Sequence, residues 1–204
     1  MFLKKFTDNE RTPICMDFTK LHTLLAINGM IINRLLRDIA GPFLLRQWKK
    51  IDKENILTIE NYMLPEVLRI QVEAFNRENR EKLEKYSKSF RDIFYVIKNK
   101  DQVIGYCIYY LKPALSFKGF EKQAILSALA IDMNFRGKGF AERLLKESIE
   151  EMKLNGISFI TLYVQINNYH AIQLYKKIGF RIITETKNIC GYGEICYKME
   201  LKLV

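Results

Sequence analysis

The sequence predicts an α/β fold, and three observations carry that reading. First, residues 124–180 alternate strand and helix patterns: an apolar strand (124–132), a Gly-containing turn, an amphipathic helix, a second apolar strand (157–166) and a short helix ending at Gly179. Second, Asp92–Lys98 and Val103–Leu111 are β-branched and aromatic runs joined by the turn NKDQ, which reads as an antiparallel hairpin. Third, 204 residues that are 49% hydrophobic and 27% charged suit one domain with a sizeable core, with or without an extension.

Residues 1–52 read as a mostly helical N-terminal extension. Apolar residues at 21, 24, 25, 31, 32, 35, 36 and 39 fall close to helical spacing, and Gly29 and Gly41-Pro42 are expected to divide the helix. The extension would pack on the main domain or on a second copy of it, which would make a homodimer; a membrane-surface helix is the lesser option. Leu21–Leu36 is interrupted by His22, Asn28, Asn33 and Arg34 and falls short of the ~20 residues that span a bilayer, so no membrane span is expected.

The main domain is placed at 53–204. Asn55–Glu60 reads as its first strand, and Leu64–Phe75 as a helix with Pro65 in the first turn. NRENREKLEKY follows, with Glu78/Lys82, Glu81/Lys85 and Glu84/Lys88 spaced to pair on a solvated helix. Lys112-Pro113 is expected to end the hairpin, and SFKGFEK (116–122) to form a loop. The helix after the Gly turn presents Ala141, Leu144, Leu145, Ile149 and Met152 on one face, and Asn155-Gly156 stops it. The strand ISFITLYVQI is apolar on both faces, as for a central strand covered on both sides. RIITETKN and GEICYKMELKL read as a final antiparallel pair.

The net charge of +10 is compatible with nucleic acid, an anionic surface or acidic peptides as partners. No long basic run or basic-aromatic repeat stands out, so the charge reads as lysine-rich composition and no specific nucleic-acid partner is expected. Cysteines 15, 107, 190 and 196 form no C-x-x-C pair, and MFLKKFTDNERTP has no apolar core of a signal peptide. These point to a reducing cytoplasm with free thiols. No metal site is expected.

A strand that feeds a Gly-rich turn at a helix start is a device for holding phosphate, because the first N–H groups of the helix lack internal partners. The turn Arg136-Gly137-Lys138-Gly139-Phe140-Ala141 reads R-x-x-G-x-A, which matches neither the dinucleotide fingerprint nor the P-loop. LAIDMNFRGKGFAERLL resembles the acetyl-CoA pyrophosphate motif of the GNAT family of N-acetyltransferases, and NNYHAIQLYKKIGF resembles the helix that closes the same site. ITLYVQINNYHAIQLYKKIGFRIITETKN further resembles the protein N-terminal acetyltransferases of that family, the ribosomal-protein-alanine type among them. The likeness covers roughly residues 55–204.

The resemblance implies a mixed, mostly antiparallel sheet of about seven strands flanked by helices. It implies acetyl-CoA as cosubstrate and transfer of acetyl to a primary amine: first a protein or peptide N-terminus, second a small amine or lysine. A non-catalytic acyl-CoA-binding module is the rival from another class. By the same resemblance, backbone groups of 136–141 cradle the pyrophosphate, with Arg136 and Lys138 adding charge, and the backbone of Leu129, Ala130 and Ile131 pairs with the pantetheine arm. Asn168 either caps its helix or contacts the pantetheine. Tyr175 is either a core aromatic or the general acid that protonates the departing thiolate. The positions where N-terminal acetyltransferases carry a Tyr and a His are Ile125 and Tyr163 here, and residues 124–131 hold no carboxylate. Tyr163 either orients a water or substrate or is a core aromatic; His170 and Glu121 are weaker candidates for the base.

Overall fold

The computed structural model describes residues 36–76, 79–116 and 119–203. Leu35–Val204 forms one compact unit. The helix read from Leu21 lies outside the described residues up to its end, where a π-turn, Leu36–Ala40, runs into a helical turn, Gly41–Leu44. Pro42 opens that turn rather than ending the preceding one, since the first helical position needs no N–H.

The elements then follow in order: β1 (Ile56–Thr58), α1 (Leu64–Phe75), α2 (Arg80–Ser89), β2 (Phe94–Asn99), β3 (Gln102–Ser116), β4 (Gly119–Ile131), α3 (Phe140–Leu154), β5 (Ile157–Gln165), α4 (Tyr169–Ile178), β6 (Arg181–Lys187) and β7 (Ile195–Lys202). The strands make one seven-stranded sheet in the order β1-β2-β3-β4-β5-β7-β6. Neighbours pair antiparallel except β4 and β5, which are parallel and joined through α3. This is the mixed, mostly antiparallel sheet that the resemblance implies.

Helices α1 and α2 cover one face of the sheet and α3 and α4 the other. On the first face the Tyr106 hydroxyl donates to Gln71 of α1, and the Tyr110 ring lies 6.2 Å from Tyr86 of α2. On the second face Tyr109 shares a 2.8 Å hydrogen bond with Ser148, and Tyr95 donates to Glu151 at 2.8 Å, both partners on α3. Buried tyrosines thus add area to the core while each of these hydroxyls finds an acceptor. Glu151, fully buried, also accepts from Trp48 Nε1 (2.8 Å), the Ile51 amide (3.1 Å) and Lys53. Asn155 bonds both backbone groups of Lys49 at 2.7 Å, and Arg143 Nη2 donates to the Glu54 carbonyl at 2.7 Å. Residues 48–54 are therefore strapped along α3.

Three expectations are corrected. Lys112-Pro113 does not end the strand, and Ser116 and residues 119–122 are strand, not loop. β3 continues to Ser116 with Pro113 opposite Lys122, and β4 begins at Gly119. Pairing with β2 stops at Phe94↔Ile108, so past that point the outer edge of β3 needs no donor and a proline fits. On α2, Glu84 pairs with Arg80 (3.8 Å) and Lys85 with Asp38 (2.6 Å), in place of Glu84/Lys88 and Glu81/Lys85, because the π-turn brings Asp38 alongside. Lastly, Cys190 and Cys196 are joined in a disulfide, so they are not free thiols; Cys107 is free and buried. The β6–β7 loop folds Cys190 back to 6.4 Å, Cα to Cα, from Cys196, within bonding range. Among the described residues, no helix is long and apolar enough to cross a membrane.

Candidate active site

The site begins where β4 and β5 part. Their ladder runs from Lys122↔Ile157 to Leu126↔Leu162 and stops. Next to that point the β3–β4 register slips, matching Ile108 with Ala128 and Tyr109 with Leu126, so Ser127 is left over as a bulge. Beyond it β4 stays on β3 while β5 follows β7 as far as Gln165↔Cys196. The edge of 127–131 that faces β5 thus has no strand partner. The Asp132 amide donates to the Ile104 carbonyl at 2.8 Å, toward β3. By alternation, Ala130 turns its backbone groups toward β3, and Leu129 and Ile131 turn theirs into the opening. The Ile131 carbonyl accepts from Arg136 Nε at 2.9 Å, which leaves its N–H and both groups of Leu129. These can take an extended amide-bearing chain as an added strand.

The turn at the end of the opening presents backbone N–H groups without internal acceptors. Gly137 (φ 72°) and Gly139 (φ 82°) lie in the left-handed region, and a Cβ at either would meet nothing within 4 Å, so glycine is required there by conformation and not by space. Among the described residues, no hydrogen bond accepts from the N–H groups of 137–142. They are the orphan donors of a helix start, at the positive end of α3. A pyrophosphate fits this donor set. The side chains of Arg136 and Lys138 fold back onto the chain: Lys138 Nζ donates to the Asn134 carbonyl at 3.0 Å and lies 5.3 Å over the Phe135 ring.

A polar latch fixes the turn to α1. Arg69 pairs with Asp132 (2.5 Å) and with Glu73 (3.1 Å), and Glu73 accepts from the Met133 amide (2.8 Å). Arg136 Nη2 lies 3.9 Å from Glu73, and Asp132 also accepts from the Asn134 amide at 2.9 Å. Burial opposes ionisation of Asp132, but the Arg69 guanidinium and the Asn134 amide hold its carboxyl below the usual range. Sequence reasoning missed this latch. Its one local signal is Asp132 two residues before Asn134, a spacing that favours an Asx turn.

Two tyrosines border the opening from opposite faces of the sheet. Tyr175, on α4, is 8% exposed and packs edge-on against Phe180 at 5.7 Å. Among the described residues its hydroxyl has no hydrogen-bond partner. Burial first, and the neighbouring Cys107 second, push its pKa up, so it stays protonated. Tyr163, on β5, is 36% exposed on the first face and is raised by burial. Ile125 is buried, between Tyr110 and Thr161 in the ladder. Asn168 caps α4, its Oδ1 accepting from the Ala171 amide at 3.2 Å, which leaves the side-chain NH2 for another acceptor. His170 is exposed at the first turn of α4, and Glu121 lies on β4 opposite Ala114, below the opening. Among the described residues, no three His, Cys, Asp or Glu side chains cluster as metal ligands.

Several known proteins are similar to this chain. A [Ribosomal protein bS18]-alanine N-acetyltransferase of Haemophilus ducreyi is 39% identical over 66 residues, 32% of this chain and 46% of its own length, so the match spans under half of that relative. An N-alpha-acetyltransferase of Saccharolobus solfataricus is 27% identical over 168 residues, 80% of this chain and 95% of the relative. The structure of yncA from Salmonella typhimurium, solved with its cofactor acetyl-CoA, superposes with a TM-score of 0.60 at 18% identity, covering 73% of this chain and 93% of that one. Residues 61–180, which contain the opening, the Gly137–Gly139 turn and Tyr175, match the Acetyltransferase (GNAT) family model, and the chain belongs to that N-acetyltransferase family, whose acetyl donor is acetyl-CoA.

Proposed function

We propose that the protein transfers acetyl from acetyl-CoA to the α-amine of a protein or peptide N-terminus by direct attack on the thioester. The observation that carries this reading is the unpaired edge of β4, which ends in a row of free N–H groups and lies beside Tyr175, a buried residue whose hydroxyl has no hydrogen-bond partner among the described residues. The N–H groups of 137–142 hold the pyrophosphate, and Leu129 and Ile131 hold the pantetheine as an added strand. The neutral amine adds to the thioester carbonyl, and the tetrahedral intermediate collapses with loss of its C–S bond. Tyr175 donates its proton to the sulfur as that bond breaks. The proton released from the amine nitrogen leaves through solvent, from which the tyrosine hydroxyl is later restored. Tyr163 faces the acceptor side and positions the amine or a water.

The missing base favours the same acceptor. No carboxylate lies on β4 beside the opening, and an α-amine (pKa ≈ 7.7–8.0) has a far larger neutral fraction at neutral pH than a lysine (≈ 10.4). The named relatives acting on a ribosomal-protein alanine and on α-amines support it. The proposed compartment is the cytoplasm, where the Cys190–Cys196 disulfide would form only under oxidising conditions.

The test is an acceptor screen with acetyl-CoA, N-terminally free peptides, N-terminally blocked lysine peptides and polyamines, read by mass spectrometry. Acetyl on free N-termini is expected. Modification of lysines or polyamines with free N-termini untouched would overturn the acceptor. Tight acetyl-CoA binding with no transfer to any amine would favour a binding module.

A further inference from the structure

The face of the sheet that carries Tyr163 also carries cations that form no ion pair. Lys198 on β7 stands directly opposite Tyr163, so their side chains leave the same face side by side. Lys112 on β3 stands opposite Gln123, and one step along β3, on that same face, Tyr110 stands opposite Ile125. Burial first, and then the charge of Lys198, lower the pKa of Lys112, so the two ammonium groups sense each other across β4 and β5. Lys82 of α2 lies 5.5 Å over the Tyr86 ring. Among the described residues none of these three lysines has a carboxylate within 4.0 Å. The Arg37 guanidinium lies 5.6 Å over the Tyr110 ring and is the fourth cation; it pairs with Asp38 at 2.7 Å. It comes from residues that precede the family match at 61–180. Carboxylates on this side include Asp38, held by Arg37 and Lys85, Glu84, 3.8 Å from Arg80, Glu200, which accepts from Thr161 at 3.3 Å, and Glu121 farther down β4.

We infer that this frame of Lys112, Lys198, Lys82 and Arg37 selects acceptors that carry a carboxylate close behind the amine, that is, peptides with Asp or Glu in their first residues. The inference rests on the N-terminal reading above. Carboxylates of the acceptor would replace water at ammonium groups that have no partner of their own. The same charges raise the neutral fraction of a nearby amine, since like charge disfavours its protonated form. A polyamine, positive along its length, would be repelled.

The test uses the full chain, acetyl-CoA and peptides that differ only at the second residue: Glu, Ala or Lys. Half-exposed charge pairs are worth roughly 1.5- to 5-fold each, so wild type should show kcat/KM about 10-fold higher for Glu than for Lys at low salt, shrinking as salt rises. Lys112→Met/Lys198→Met should lose most of that ratio, and Lys198→Glu should tilt it toward the Lys peptide. Retention of the acetyl-CoA-dependent rise in Tm checks that the variants fold and bind the donor. Equal rates on all three peptides, or a preference that survives the double variant, would overturn the inference while N-terminal acetylation stands. Transfer to polyamines but to no peptide would instead overturn the N-terminal reading and the inference with it.

Discussion

Glu151→Leu should be among the most damaging single changes outside the active site. The carboxylate is fully buried and meets Lys53, Tyr95, Trp48 and the Ile51 amide. Lys53 is itself sealed, with 6% of its side chain exposed. Removing one partner of a buried pair leaves the other charge without compensation, which costs about 3–5 kcal/mol. The orphaned hydroxyl and indole N–H belong to the same network, so their costs overlap with that figure and do not simply add. About 4 kcal/mol, divided by a urea slope of ~2 kcal/mol/M, lowers the unfolding midpoint by about 2 M. Adding Lys53→Met should recover about 2 kcal/mol, because the stranded ammonium is gone. The network sits three turns along α3 from Gly139, so acetyl-CoA affinity should fall much less than stability. The assay is urea unfolding of wild type, both single variants and the double variant. A Glu151→Leu midpoint within error of wild type would refute the reasoning, as would a double variant no better than the single.

Other outcomes are expected from the site and the ion pairs. Tyr175→Phe should fold, bind acetyl-CoA nearly as wild type, and lose ~10²-fold or more in kcat; unchanged turnover in stopped-flow thiol release removes the acid role. Gly139→Glu forces a non-glycine side chain into a left-handed backbone and points charge at the pyrophosphate, so the rise in Tm with acetyl-CoA should vanish in a scan where the folded baseline is kept. Asp38 is held at about 2 by its hydrogen bond to Arg37, against burial and with help from Lys85. Its folded pKa lies below the unfolded value, so its contribution is present above about pH 4 and disappears as pH falls toward 2; acid-unfolding curves of Asp38→Asn should be flatter than wild type across that window. Alkylation under denaturing, non-reducing conditions should leave Cys190 and Cys196 unmodified, and prior reduction should expose both.

Much of this was written in the local sequence. α1 was legible to the residue because Pro65 fixes its first turn and an apolar face follows. The Gly turn was legible because Gly137 and Gly139 are needed for conformation, a demand that stands in the sequence itself. The Asn168 cap and the Gly179 stop were readable for the same reason, since each acts within four residues of its own position. Features decided by distant partners were hidden. Pro113 reads as a breaker until one knows that its edge of β3 is unpaired. Glu151 reads as a face residue of an amphipathic helix, because its partners lie 56 to 103 residues away. The latch needs Arg69 and Glu73 on α1 to meet residues 132–136, and no spacing rule joins them. Lys112 and Lys198 became a pair only once the strand order was known.

That strand order has a consequence for how the molecule assembles. β7 lies between β5 and β6, so the third of the sheet that holds Tyr163 is completed by a late insertion. Thr161↔Glu200 and Tyr163↔Lys198 close loops of more than thirty residues, a slow kind of pairing. Until it happens, β5 is a bare apolar margin, with Ile160, Leu162 and Val164 side by side with unpaired backbone groups. Such a margin accepts a strand from any neighbouring chain. Refolding yield should therefore depend steeply on protein concentration, and a free peptide copying Ile195–Lys202 should protect the partly folded chain by filling the gap.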